Sequence, residues 1–589
     1  MQIYKAPIKD IRFCLEALGY EDQVSSMEAF ESYDLETSVA LLEQGGELAE
    51  KVLLPINRSG DAEGVKWDPE TGEVTTAKGF REAYQQLVEN GFVGLAGDEH
   101  FGGGGAPETV AIAMGEMTTA CNKSLMMCPG LTRGLVEALE VHGTEEQKQA
   151  YLPKLISGEW AGTMCLTEPQ CGTDLGLITT KAVPDGDDKF KLSGTKIWIT
   201  FGEHDFTENI VHLVLARLPD APPGIKGISC FIVPKITLDG RRNGIKCAGL
   251  EHKMGINASP TCVMEMDEAE GYLVGTPHKG MRTMFVMMNA ARLHVGVEGA
   301  ALAEISYQTA LAFAKDRIQS RSLDAAKQDP NAPADNILVH PDVRRMLLDQ
   351  KCTNEALRGL ALYLAMNLDR SRKHPDEAVR QECDDVVALL TPILKSYGTE
   401  RGFENTSLAM QVCGGAGYTT DWSIEQYMRD TRIAMIYEGT NGIQGLDLVG
   451  RKLPMHGGRL LQTFQARVTD LIRACKEEPK LAELVTPLKE ASKQLTAVTM
   501  GLAGKAMADP EEAGAVASNY LRLFALTTLG FIWLGQARHA VGKGGAEGET
   551  KLKTARYFFN QILPQRHALA AIIESGKADI MGFDADELG

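Results

Sequence analysis

Between about residues 161 and 275 the chain stops reading as helix and starts reading as sheet, and that switch restricts the available folds more than any other feature. The segments FKLSGTKIWIT (190–200), IVHLVLARL (210–218), GISCFIVPK (227–235) and TCVMEMDEAE (261–270) are short and bounded by Gly, Pro and Asp. In the last of them Cys262, Met264 and Met266 alternate with Val263, Glu265 and Asp267, the period of a half-buried strand. On either side the spacing is helical. Residues 1 to about 160 read as helix, broken by the polar stretch 58–76 and the glycine run 102–105. After Gly280, residues Val295, Leu302, Ile305 and Ala312 share one helical face that continues toward Arg317. Residues 323–336, with Pro330 and Pro333, read as a surface insertion, and His340-Pro341-Asp342 predicts the next helix start. From about 456 onward an additional helical domain is expected, ending in an acidic tail, and no solenoid repeat is visible.

A chain of 589 residues is too long for one core, so several domains are expected. With 60 basic against 79 acidic residues the formal charge is −19, which argues against a general nucleic-acid or anionic-membrane binder. The start, MQIYKAPIKDIRF, has no apolar stretch behind a basic cluster, and no run of about 18 uncharged apolar residues follows. The 12 cysteines are scattered. Within the motif region the close pair Cys165 and Cys171 lacks a second pair or a histidine set, so no metal is expected, and reduced thiols in a cytoplasmic protein are.

Four separated segments carry chemistry-bearing residues. They are MCLTEPQCGTD (164–174), KIWIT (196–200), the predicted helix from Arg292 to Arg317, and a stretch running from QVCGGAGY (411–418) through Arg429-Asp430 to IYEGTNGIQ (436–444). Each has an ordinary reading alone: a turn at Thr167-Glu168-Pro169, a core anchor at Trp198, a surface residue at Arg317, a solvated turn at Glu438. Together and in this order they resemble the acyl-CoA dehydrogenase family over about residues 40 to 455. The separations of 25 positions from Arg292 to Arg317 and 27 from Gln411 to Glu438 match that family's pattern.

The resemblance implies an α+β fold: an N-terminal helical domain (41–160) after an extension (1–40), a middle β-barrel-like domain (161–280), a C-terminal four-helix bundle (281–455) and an extra C-terminal helical domain (456–589). It implies FAD as cofactor and removal of an α-proton and a β-hydride from an acyl thioester, with Glu438 as the base and flavin N5 as the hydride acceptor. Partial desolvation near Tyr437 is expected to raise the pKa of that base, and Gly439 lets the backbone approach the thioester. The oxyanion is assigned to the backbone N–H of Glu438 with the FAD ribityl 2′-hydroxyl.

By position, Leu166 and Thr167 match contacts to the isoalloxazine edge, and Trp198 and Thr200 match residues flanking the ring. Thr173 matches a position near the phosphates or the CoA entrance. Arg317, Gln411 and Gly415 match contacts to the pyrophosphate and adenosine of a neighbouring subunit's FAD, and Thr440 lies beside the base. Sites shared in this way imply a homodimer or homotetramer, and the electron acceptor implied is an electron-transfer flavoprotein. Some members place the base on the helix just before the position of Arg292, but here that residue is Ala291.

Departures from the common pattern are informative. Ile318-Gln319-Ser320-Arg321 replaces a QFG-like stretch, and Gly442, Gly445 and Gly450 stand where many members have larger residues, so no CoA-binding arginine is carried over. With the HPDVRRML segment and the two extra terminal regions, these resemble a large bacterial subfamily. That implies 3-methylmercaptopropionyl-CoA or another short acyl-CoA as substrate, since a thioether replaces a methylene with nearly the same shape. The alternatives are a general short- or medium-chain dehydrogenase, an acyl-CoA oxidase, and a DNA-binding alkylation-response protein. The last would need a basic C-terminal domain, whereas residues 456–589 hold 16 Lys or Arg and 15 Asp or Glu.

Overall fold

The computed structural model describes residues 2–186 and 188–589. The chain forms two compact units: residues 1–46, 107–120 and 295–589, and residues 47–106 and 121–294. Among the described residues, strands are confined to the second.

In that second unit a hairpin of β1 (Lys66–Trp67) and β2 (Val74–Thr75) precedes the main sheet. The polar stretch expected as a plain break is therefore structured. It begins inside the helix Leu54–Glu63, and its Trp67 indole donates to Cys247 O at 3.2 Å. The main sheet contains β3 (Trp160–Cys165), β4 (Lys181–Pro184), β5 (Phe190–Thr200), β6 (Asn209–Arg217), β7 (Ile228–Pro234), β8 (Ile245–Leu250) and β9 (Thr261–Leu273). The order β3-β6-β4-β5-β9-β7 closes through a further β6–β7 pairing, with β8 on β9, and closure removes most of the free edges.

The alternation in β9 faces as expected. Cys262, Met264 and Met266 are buried while Glu265 and Asp267 are exposed. Strand β6 is buried along nearly its whole length because it separates two cores. Val211, Leu213 and Leu215 pack with the helical residues Leu135, Leu139 and Leu152, whereas Val214 and Ala216 face the barrel interior with Ile199, Phe231 and Met264.

The first unit is helical. Its main helices are Pro341–Lys373, Glu377–Cys413, Arg459–Cys475, Ala482–Ala508, Pro510–Lys543 and the part of Gly280–Asp316 that follows residue 294. Val295, Leu302 and Ile305 are buried there, Ala312 is half-buried, and the helix stops one residue before Arg317. Glycines let Gly280–Asp316 and Glu377–Cys413 approach closely: a Cβ on Gly402 would lie 2.6 Å from Gly299 O. Pro341 opens its helix at the expected place, with His340 at the cap position.

The helix Pro510–Lys543 is long and apolar enough to cross a membrane by length and composition. Most of its apolar stretch is nevertheless buried within the protein, as a core helix's must be.

Charged residues also enter this core. Arg358, 2% exposed, donates to Glu116 at 2.9 Å and also pairs with Asp10 and, at 3.3 Å, with Glu304. Lys551 donates to Glu355 at 2.7 Å and to Asp10. Residues far apart in sequence, including the N-terminal extension and the C-terminal region, thus share one buried ionic network. Burial works against the Asp10 carboxylate, but Lys551 and Arg358 hold it well below the usual range.

Candidate active site

In the helical unit, Glu438 sits in the loop between the 3₁₀ turn Ile433–Met435 and the short helix Asn441–Asp447. It is half-buried, which is neither the solvated turn residue of the ordinary reading nor a core side chain. Its φ is 56°, and Gly439 follows at 84°, so two consecutive residues are left-handed. For a residue with a Cβ that conformation costs roughly 1–2 kcal/mol and needs external bonds to hold it.

Those bonds come from neighbouring elements. Gln444 Nε2 donates to Glu438 O at 3.2 Å and to Gly439 O at 3.1 Å. Lys395 Nζ, from the middle of Glu377–Cys413, donates to Gly439 O at 2.8 Å and to Asn441 Oδ1 at 3.1 Å. Thr440 caps the following helix by accepting from Ile443 N at 3.3 Å. On the near side, the Tyr437 hydroxyl donates to the Glu298 carboxylate. Burial, then Glu298 and Glu438, push that phenol well above its ordinary pKa and keep it a donor.

Arg317 is exposed just past its helix, and its guanidinium has no ion-pair partner among the described residues. Gln411 and Gly415 are exposed at the junction of Glu377–Cys413 with the short helix Gly415–Tyr418. The Phe313 ring meets Trp422 edge-on at 5.2 Å, so the helix end before Arg317 packs against the loop that follows that junction.

In the barrel unit, Leu166 and Thr167 leave the end of β3 and are half-buried. Their carbonyls are taken up by β5: Lys196 Nζ donates to Leu166 O at 3.0 Å, and Ile197 N to Thr167 O at 2.9 Å. Lys196 is itself held by Glu168 at 2.8 Å, with both side chains buried. Glu168 also accepts from the backbone N–H and hydroxyl of both Thr179 and Thr180, at 2.7 to 3.1 Å. Burial alone would raise this carboxyl, yet Lys196 and these donors bring it down to about 2.

A register shift in the β5–β9 ladder falls between Lys196 and Ile199, and Trp198 within it has a φ of 61°. The bulge breaks strand alternation. Lys196 and Ile199 both point inward, and the Trp198 indole turns outward, 60% exposed. The ordinary reading of Trp198 as a core anchor is therefore wrong. Thr200 follows half-buried, paired with Thr261. Thr173 stands apart from this group, exposed beyond the Glu168–Cys171 bridge. The hydroxyls of Thr167 and Thr200 have no protein partner among the described residues.

Sequence reasoning missed Lys395, Glu298, Asn441 and Gln444 as supports. The last two lie inside the quoted IYEGTNGIQ stretch, where amide side chains soon after Gly439 were the available signal. All 12 cysteines are free and buried, and no group of metal-ligating side chains occurs among the described residues.

Family models match nearly the whole chain: the N-terminal domain of acyl-CoA dehydrogenase at residues 38–159, its middle domain at 163–269, its C-terminal domain at 278–453, and an acetyl-CoA dehydrogenase C-terminal-like region at 464–584. The chain belongs to the acyl-CoA dehydrogenase family and is an FAD-dependent oxidoreductase. It is 42% identical over 572 residues to the 3-methylmercaptopropionyl-CoA dehydrogenase of Ruegeria pomeroyi, covering 95% of this chain and 96% of that one. A butyryl-CoA dehydrogenase of Syntrophomonas wolfei is 32% identical over 586 residues, covering 95% of each. Among solved structures, an acyl-CoA dehydrogenase of Bacillus anthracis complexed with FAD has the same fold, with a TM-score of 0.76 at 22% identity over 94% of this chain and 90% of that one.

The residues present fit the cofactor. An outward indole, two unpartnered threonine hydroxyls and the Leu166–Thr167 backbone suit a flat heterocycle with a polar edge, and the unpaired Arg317 guanidinium suits a pyrophosphate.

Proposed function

We propose that this enzyme dehydrogenates 3-methylmercaptopropionyl-CoA between Cα and Cβ to 3-methylthioacryloyl-CoA, a step in dimethylsulfoniopropionate degradation, and that Glu438 takes the α-proton. The reading rests on Glu438 standing half-buried in a clamped left-handed turn. The near full-length 42% identity to the Ruegeria pomeroyi enzyme supports the substrate. Bound FAD supplies the hydride acceptor, flavin N5. Leu166, Thr167, Trp198 and Thr200 hold the isoalloxazine, with Thr173 toward the phosphates or the CoA entrance. Arg317, Gln411 and Gly415 hold the pyrophosphate and adenosine end for a neighbouring subunit in a homodimer or homotetramer, and Thr440 lies beside the base in the same cofactor region. Glu438 receives the proton at its carboxylate, and its backbone N–H supports negative charge on the thioester oxygen. Electrons leave to an electron-transfer flavoprotein. The buried free thiols support a reducing compartment, the cytoplasm.

The test is anaerobic flavin bleaching by 3-methylmercaptopropionyl-CoA and by butyryl-CoA separately. Faster bleaching by the thioether supports the assignment. Equal rates favour the general short-chain reading, to which the Syntrophomonas wolfei relative points, and no bleaching by either overturns both. Peroxide formation in air identifies an oxidase.

A further inference from the structure

Lys395 is 0% exposed, lies 43 positions before Glu438, and has no place in the reading of the sequence motifs. Its Nζ donates to two acceptors on the base loop, Gly439 O and Asn441 Oδ1. Asn441 returns the attachment by donating Nδ2 to Ser396 O at 3.1 Å and to Thr399 Oγ1 at 3.1 Å. Gln444, also 0% exposed, places both amide hydrogens on the carbonyls of Glu438 and Gly439, while its Oε1 has no partner among the described residues. With its oxygen left unsatisfied, what orients this buried amide is the pair of carbonyls that its nitrogen serves.

The geometry points to Lys395 as a positioning residue for the base: with Gln444 it clamps the two carbonyls that follow the Glu438 Cα. The clamp sets both the direction of the carboxylate and that of the Glu438 N–H. This inference rests on the proposed role of Glu438. Without the clamp a non-glycine residue at a φ of 56° relaxes toward an ordinary region, carrying the carboxylate away from the α-proton. Lys395 touches neither substrate nor cofactor in this account.

The experiment compares wild-type holoenzyme with Lys395→Met and Gln444→Met in anaerobic stopped-flow bleaching, using 3-methylmercaptopropionyl-CoA with and without deuterium at Cα. A misplacement of about 1 Å lowers such rates about 10²-fold. The expected result is that loss in bleaching rate per bound flavin, with FAD content and acyl-CoA affinity near wild type and a larger α-deuterium isotope effect. Variants that lose FAD or melting temperature but bleach at the wild-type rate per flavin overturn the inference, and so does failure of both to fold, since the role is then structural. If neither 3-methylmercaptopropionyl-CoA nor butyryl-CoA bleaches the wild-type enzyme, the parent reading falls and takes this one with it. If it bleaches and the variants match it, only the clamp falls.

Discussion

Lys196 Nζ lies 2.8 Å from Glu168 Oε1 with neither side chain in contact with water, and the same ammonium donates to Leu166 O at 3.0 Å. One buried ion pair thereby fixes the backbone assigned to the flavin edge. Lys196→Met leaves the Glu168 carboxylate buried without its counter-charge, a loss of about 3–5 kcal/mol. Thermal melts of the holoenzyme are expected to show it, and adding Glu168→Gln to the same chain is expected to recover much of it. Non-additivity in that double-mutant cycle is the measurement that matters.

Acid should destabilise the barrel unit for the same reason. The folded-state pKa of Glu168 is about 2 against an ordinary 4.5, so its stabilisation is complete above about 4.5 and is lost as pH falls toward 2. His204 and His212 are pushed down to about 3 by burial, chiefly, with Lys235 also acting on both; they stay neutral when folded and act in the same direction below about 6.5. Denaturant titrations between pH 7 and pH 3 are expected to show falling stability, of which about 2 kcal/mol belongs to Glu168.

Replacing Trp198 tests its proposed place in the cofactor site separately from stability. At 60% exposure its indole supports little of the core, so Trp198→Ala is expected to change unfolding free energy by no more than about 0.5 kcal/mol. Its FAD content after gel filtration should fall well below that of wild type. An unchanged flavin-to-protein ratio would remove Trp198 from the cofactor site.

Glu438→Gln keeps the size of the base and removes its basicity. Turnover is expected to drop at least about 10³-fold with FAD still bound, since general-base catalysis contributes on that order. Steady-state assays and the flavin spectrum check both halves, and retained turnover would move the base elsewhere.

Gly402→Leu tests the close helix crossing. A Cβ there would meet Gly299 O at 2.6 Å, and backbone cannot move aside as a flexible side chain does. A loss of about 3 kcal/mol, or insoluble protein, is expected, read as melting temperature against a Gly504→Ala control on an open helix surface.

Much of the architecture was legible because it is written in local periodicity. The alternation in Cys262, Met264 and Met266 returns as one face of β9, and Pro341 opens a helix where its fixed φ is tolerated. The four motif segments were legible as residue types at set separations. The outward turn of Trp198 was not: period-two reasoning places it inward, and only pairing with β9 creates the bulge that reverses it. The polar stretch 58–76 does break the helical region, after Glu63, but the hairpin inside it, whose Trp67 indole bonds Cys247 O far along the chain, was not legible.

By itself, then, the sequence determined the succession of helical and strand-rich segments, the family, and Glu438 as the candidate base. The tertiary structure alone decided which charged residues are buried and what they hold. Lys196, Arg358, Lys395 and Lys551 all read as surface residues by type, because long cationic side chains normally stay in water. Each is buried instead because acceptors distant in sequence converge on it, and no local pattern in the chain announces where a carboxylate or a carbonyl from another segment will arrive.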